Sequence, residues 1–290
     1  MIKALIETLR PRQWTKNLVI FAGLIFDGQF LQLTPFLRVL LAALLFCLVS
    51  GVTYTINDLL DLDADKLHPQ KRNRPLASGR LGKRTAIIFI IVLSAISLAG
   101  GYLLSPNLAL IFVAYTLLIL AYSLWLKKIM ILDVLVIASG FVLRVLAGLS
   151  VITVAYFSPW LFVLTTLLAM YLAFGKRLAE LKLLETDAIN HRKTLDGYTV
   201  PLLNQYIMVI LTAILITYTF YTFSAHPGQS NYAMMLTLPF VVYGIFRYLY
   251  LIQSDLTTSS PEEVLLKDRP LQIAIALWGL SVIAIIYIVF

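Results

Sequence analysis

Residues 36–65 read FLRVLLAALLFCLVSGVTYTINDLLDLDAD, and the interpretation of the whole chain turns on them. The apolar stretch 36–57 carries only Arg38 as a charge and is long enough to cross a hydrocarbon core of ~30 Å as a helix. It runs without a break into Asn57-Asp58-Leu59-Leu60-Asp61-Leu62-Asp63-Ala64-Asp65. On a helix that continues past the span, Asp58, Asp61 and Asp65 fall at i, i+3 and i+7 on one face beside Asn57, while Asp63 projects elsewhere. Three like charges on one stripe repel unless a cation neutralises them. Hard carboxylate and amide oxygens suit Mg²⁺, which retains waters and bridges to substrate phosphates. The spacing therefore predicts a metal site at a membrane face.

The composition fits a membrane protein. Of 290 residues, 60% are hydrophobic and 13% charged, and the mean hydropathy is +0.88. A soluble domain is roughly half apolar and about a quarter charged, so a water-soluble or disordered chain is excluded. Nine apolar stretches predict an all-α integral membrane bundle, with spans near 18–33, 36–57, 86–104, 108–125, 130–150, 158–175, 205–224, 234–252 and 271–289. With the N-terminus in the cytoplasm, every Lys and Arg except Arg38 and Arg144 falls on the cytoplasmic side. That asymmetry is the positive-inside pattern for nine spans, N-terminus in and C-terminus out. The net charge of +8 then encodes topology in a cell membrane, with no nucleic-acid partner implied. The lone Cys47 excludes a disulfide framework. The amphipathic start, MIKALIETLRPRQWTKN, lacks the apolar core of a signal peptide. One transmembrane domain over 1–290 is expected, its active-site loops at about 58–85 and 176–204 facing the cytoplasm.

Directly after the acidic stretch comes Lys66-Leu67-His68-Pro69-Gln70-Lys71-Arg72-Asn73-Arg74-Pro75. Guanidinium groups bind phosphate oxygens in forked pairs, and the prolines restrict the loop that carries them. Alone, such a run reads as a topology signal or a lipid-headgroup contact. Beside a magnesium-type face, Lys71, Arg72 and Arg74 read as the second half of a diphosphate clamp.

These features together resemble the UbiA superfamily of intramembrane prenyltransferases. The resemblance rests on Asn-Asp-x-x-Asp-x-x-x-Asp after a second span, the Lys/Arg-x-Arg-Pro segment that follows, Arg12-Gln13-Trp14-Thr15-Lys16-Asn17 before the first span, and Tyr122-Ser123-x-x-Leu126-Lys127 after the fourth. It implies a nine-helix bundle around a cavity open to the cytoplasm and to lipid. It also implies that Asp58, Asp61 and Asp65 hold Mg²⁺ and a diphosphate with Asn57 assisting, and that Tyr122 and Lys127 contact substrate. A second Asp-x-x-x-Asp motif, typical of the family after span six, is replaced here by Gly175-Lys176-Arg177-Leu178-Ala179-Glu180 and His191-Arg192-Lys193. Lys176 and Glu180 stand one turn apart, so a self-paired surface helix is one reading.

The cationic replacement is similar to the polyprenyl-phosphate phosphoribosyltransferase branch of that superfamily. The branch implies phosphoribosyl diphosphate as donor and a decaprenyl-type polyprenyl phosphate as acceptor. Lys16, Lys176, Arg177, Glu180, Arg192 and Lys193 then become candidates for holding ribose or lipid phosphate. Arg144, with Asp133 three turns earlier on span five, is a charged residue inside a span and a further candidate, although pairing to a neighbouring helix explains it equally well. Lys267-Asp268-Arg269-Pro270 reads either as a cavity-mouth element or as a helix entry. Two other readings stay open: ordinary prenyl transfer to an aromatic or quinone precursor, and a non-enzymatic carrier of anionic lipids, whose inverted repeat is not evident.

Overall fold

The computed structural model describes residues 1–69, 71–154, 159–186, 197–224, 232–253, 264 and 267–289. These residues form helices and turns, with no strand among them. In chain order the α-helices are α1 (Ile2–Thr8), α2 (Ala22–Phe26), α3 (Leu33–Leu60), α4 (Leu62–Leu67), α5 (Lys83–Leu104), α6 (Pro106–Leu124), α7 (Leu132–Leu149), α8 (Pro159–Thr186), α9 (Val200–Ser224), α10 (Leu238–Gln253) and α11 (Arg269–Ala284). Among the described residues eight helical segments are long and apolar enough to cross a membrane: α3, α5, α6, α7, α8, α9, Ala233–Leu251 and Arg269–Tyr287. They match eight of the nine expected spans.

The remaining stretch, 18–33, is not one long α-helix. A 3₁₀ helix over Pro11–Phe21 passes into the five-residue α2. A turn follows, with Gly28 at φ 72° and the Gln29 amide bonding both the Asp27 carboxylate and the Thr153 carbonyl. This segment still runs the length of α3. Arg10, at its start, bonds Asp58 in the last turn of α3, while Phe30, at its end, meets Phe36 in the first turn edge-on at 5.5 Å.

The chain divides into two compact units, Met1–Leu126 with Gly140–Tyr156, and Lys127–Ser139 with Phe157–Phe290. In the first, α3 packs on α5, α6 and the 3₁₀ helix. Its core gathers Ile20, Leu24, Val39, Phe46, Phe112 and Tyr115, with Phe46 edge-on to Phe112 at 5.6 Å and to Tyr115 at 4.8 Å. Gly148 on α7 is required here, because a Cβ would overlap the Ile20 carbonyl. A smaller cluster of Ala4, Leu62, Leu76, Leu81 and Ala86 pins α1, α4, the 71–81 loop and the start of α5 together. In the second unit, α8 packs along α9 over Tyr171, Phe174, Leu178, Leu203, Ile207 and Ile214.

Many large apolar side chains face outward, including Leu103 at 86% exposure and Val209 at 68%. A soluble surface does not sustain so much exposed apolar area, whereas lipid tails accept it. Hydroxyls within the spans bond back to their own helix, as Thr55 does to Gly51 O at 2.8 Å and Thr116 to Phe112 O at 2.8 Å. In hydrocarbon that closes off a donor for which no water is present.

Candidate active site

The acidic stretch departs slightly from a continuous helix. Asp61 leaves the helical region (φ −92°, ψ 9°) between α3 and α4, yet the ladder is kept by Asp61 N–H to Asn57 O at 2.9 Å and Asp65 N–H to Asp61 O at 2.8 Å. Asp58 and Asp65, both about 3% exposed, converge on one guanidinium nitrogen: Arg74 Nη1 donates to Asp58 Oδ1 at 3.1 Å and to Asp65 Oδ2 at 2.6 Å. Arg10 Nη2 donates to the same Asp58 oxygen at 2.5 Å, and Lys71 Nζ stands 3.8 Å from Asp65 Oδ1. Asp61 accepts from Asn57 Nδ2 at 3.2 Å. Asp63 points to solvent with its side chain 90% exposed and takes Lys66 at 3.3 Å.

Arg10 was not among the sequence candidates. Its backbone lies in the left-handed region (φ 52°, ψ 63°), immediately before Pro11, and its guanidinium lies over the Tyr54 ring at 5.0 Å. A proline disfavours right-handed helical geometry in the residue before it, but no local pattern ties Arg10 to Asp58, 48 positions away. The loop 71–81 is tied to α1 by Arg80, which donates to both oxygens of Glu7 at 2.7 and 2.9 Å and to Asn73 O at 2.6 Å. The Arg80 hydrogen bond to Glu7, chiefly, holds that carboxyl below its ordinary pKa. Arg72 is exposed.

Among the described residues no group of three His, Cys, Asp or Glu side chains is gathered closely enough to form a metal centre as it stands. The donor set nevertheless fits a hard cation. Two buried carboxylates already meet at a single positive nitrogen, and a third carboxylate with an amide stands on the next turn.

The other sequence candidates separate into distinct groups. Lys16 is partly exposed on the 3₁₀ helix. Its neighbour Asn17 is buried and accepts from Arg144 Nε at 2.8 Å. Arg144, 5% exposed, also donates to Tyr115 Oη and to Gly140 O, each at 2.9 Å, and lies within 5.3 Å of the Phe46, Tyr115 and Phe141 rings. Its polar atoms are turned onto Asn17, the Tyr115 hydroxyl and its own helix. Asp133 and Arg144 do not pair with each other.

Tyr122 and Lys127 are partly exposed, and Lys176 is exposed. Arg177, 5% exposed, donates to Asp133 Oδ2 and to Glu180 Oε2, each at 2.9 Å. Glu180 thus takes Arg177, three residues back, and Arg177 lies on the buried face of α8 beside Leu178. Asp133, 1% exposed, is bonded in addition by the Tyr198 hydroxyl at 2.9 Å. Burial foremost, with the hydrogen bond and charge of Asp133 adding to it, pushes the Tyr198 phenol well above its ordinary pKa, so it remains a donor at neutral pH. Arg192 and Lys193 lie outside the described residues. Asp268 caps α11 by accepting from Leu271 N–H at 2.8 Å and is bridged by Arg247 at 2.8 and 3.2 Å, which bears out the helix-entry reading.

The model of the UbiA prenyltransferase family matches residues 18–263. A Mycobacterium tuberculosis protein named decaprenyl-phosphate phosphoribosyltransferase is 31% identical over 286 residues, covering 96% of this chain and 92% of its own. Its namesake from Mycolicibacterium smegmatis is 33% identical over 303 residues, covering 99% of this chain and 93% of its own. In fold the chain is similar to a UbiA homologue from Archaeoglobus fulgidus bound to DMAPP and Mg²⁺, with a TM-score of 0.72 at 20% identity, covering 98% of this chain and 99% of that one. On these grounds the chain belongs to the UbiA prenyltransferase family.

Proposed function

We propose that the protein transfers a 5-phosphoribosyl group from 5-phosphoribosyl 1-diphosphate to a decaprenyl-type polyprenyl phosphate, releasing diphosphate. The observation that carries this reading is the near full-length likeness to proteins named for that activity, joined to a buried acidic pair ringed by Arg10, Lys71 and Arg74. Asp58, Asp61 and Asp65, with Asn57, would hold Mg²⁺, whose charge offsets the negative charge that gathers on departing diphosphate. Arg10, Lys71, Arg72 and Arg74 stabilise the same oxygens by charge-assisted hydrogen bonds in a partly desolvated setting. Departure leaves oxocarbenium character at the anomeric carbon. The lipid phosphate oxygen attacks from the opposite face and inverts the α donor to a β product. That nucleophile is already anionic, so the chain supplies no general base. Lys16, Tyr122, Lys127, Lys176, Arg192 and Lys193 are assigned to the ribose and lipid phosphates. Arg144, Arg177 and Glu180 serve by fixing the segments that carry them.

The same reading treats the chain as one catalytic domain in a cell membrane, with nine crossings and its site on the cytoplasmic face. The 3₁₀ helix rises about 2.0 Å per residue and α2 about 1.5 Å, so Pro11–Phe26 spans roughly 30 Å, a full hydrocarbon thickness. Its course along the whole of α3 supports counting it as the first crossing.

The test is turnover by purified protein of radiolabelled phosphoribosyl diphosphate with decaprenyl phosphate, abolished by EDTA and restored by Mg²⁺. Consumption of a prenyl diphosphate with an aromatic acceptor, and indifference to phosphoribosyl diphosphate, would overturn the assignment.

A further inference from the structure

Ile131 occupies the left-handed region at φ 69°, between the 3₁₀ turn Leu126–Lys128 and the start of α7. A β-branched side chain there is a genuine outlier that persists only when its surroundings hold it. What holds it is Tyr198. The Ile131 N–H donates to the Tyr198 hydroxyl at 2.8 Å, and that hydroxyl donates onward to Asp133 Oδ1 at 2.9 Å. The other oxygen of Asp133 is taken by Arg177. Each end of the relay is thus anchored in buried groups, with Tyr198 5% and Asp133 1% exposed. The strained residue in turn organises the helix start: its carbonyl accepts from both Val134 N–H and Leu135 N–H at 3.0 Å.

We propose that Tyr198 is a positioning residue whose hydroxyl clamps Ile131 in its strained conformation and thereby fixes the turn that carries Lys127 for phosphate binding. This rests on the phosphate role given above to Lys127. The hydroxyl is used twice, as acceptor and as donor, so phenylalanine cannot replace it even though the ring would still pack against Phe174, at 6.2 Å. Without the hydroxyl, Ile131 relaxes toward negative φ and the turn re-forms elsewhere. Glycine at 131 adopts positive φ without strain and needs no clamp.

The experiment compares wild type, Tyr198→Phe, Ile131→Gly and the double variant, all as the full chain in lipid nanodiscs. Hydrogen exchange of the Asp133–Leu135 amides reads the turn directly, and steady-state kinetics with phosphoribosyl diphosphate read its consequence. Tyr198→Phe is expected to speed that exchange about tenfold and to raise KM for the donor about tenfold, the loss from one misplaced charge-assisted hydrogen bond. Its kcat should stay within about twofold. Ile131→Gly alone should behave as wild type, and in the double variant both effects should largely disappear. Unchanged exchange in Tyr198→Phe, a double variant no better than the single one, or a loosened turn with unchanged KM would each overturn the proposal. Should Tyr198→Phe not accumulate as folded protein, recovery by the added Ile131→Gly supports the clamp and lack of recovery overturns it. If the wild type does not use phosphoribosyl diphosphate, the donor assignment fails, and exchange together with binding of inorganic phosphate then decides the clamp.

Discussion

Removing the Arg74 side chain is the sharpest probe of the acidic pair. Its Nη1 is 3.1 Å from Asp58 and 2.6 Å from Asp65, and both carboxylates are 3% exposed. Deleting one partner of a buried ion pair typically costs about 3–5 kcal/mol. Here Arg74 is itself 26% exposed, while Arg10 remains on Asp58 and Lys71 stays 3.8 Å from Asp65. The lower end, about 3 kcal/mol, is therefore expected for Arg74→Ala. With an unfolding entropy near 2.1 cal/mol/K per residue, a chain of this length loses about 5 °C in Tm. Adding Asp65→Asn removes the stranded charge and should return about half of that loss, a coupling that independent sites do not show. Mg²⁺ should stabilise the Arg74→Ala protein more than the wild type, because the guanidinium no longer fills the point where the carboxylates converge. The assay is thermal unfolding in nanodiscs at neutral pH, with and without Mg²⁺. A Tm within about 1 °C of wild type, or a double variant no more stable than Arg74→Ala, would refute the reasoning.

Asp61→Asn should keep the fold but lose about a hundredfold or more in turnover, as one hard anionic donor becomes neutral, whereas the solvent-exposed Asp63→Asn should be mild; turnover at saturating Mg²⁺ checks both. In a Cys47→Ser background, a cysteine at Asn107 in the first turn of α6 should react with an impermeant thiol reagent in sealed right-side-out cells, and one at Ser78 should not. Asp268, held below the ordinary carboxylate range mainly by the Arg247 hydrogen bond, should stabilise the α10–α11 contact at neutral pH. That contribution is present above the ordinary aspartate pKa of about 3.9 and is lost as pH falls through the depressed value, so Asp268→Asn should lower Tm at pH 7 and make little difference in strong acid.

The spans were legible because long apolar runs carry their own signal, and Asp58 with Asp65 because i, i+7 spacing survives even a small break at Asp61. The stretch 18–33 was legible only as an apolar run. Its 3₁₀ geometry depends on Pro11, on the turn at Gly28, and on Arg144 reaching Asn17 from far along the chain. Arg10 was invisible as a site residue for the same reason, since 48 positions separate it from Asp58. Local spacing places both Lys176 and Arg177 within reach of Glu180, but the bond from Arg177 to Asp133 joins residues 44 positions apart and could not be read from spacing. The Tyr198 clamp depends on a backbone angle that no residue type at 131 announces, isoleucine least of all.

The two guanidinium groups on Asp58 bear on the order in which ligands arrive. The acidic face is quenched from within, by Arg10 from the N-terminal segment and by Arg74 from the loop after α4. A divalent ion arriving alone has to evict them and leaves two cations facing a third. A metal already carrying diphosphate brings acceptors for the groups it displaces, so loading becomes an exchange of partners in which every charge keeps a counter-charge. On the proposed function the site would act as a coincidence detector, answering weakly to ion or anion separately and strongly to the two together, while Arg10 and Arg74 pair the buried carboxylates before any ligand is present.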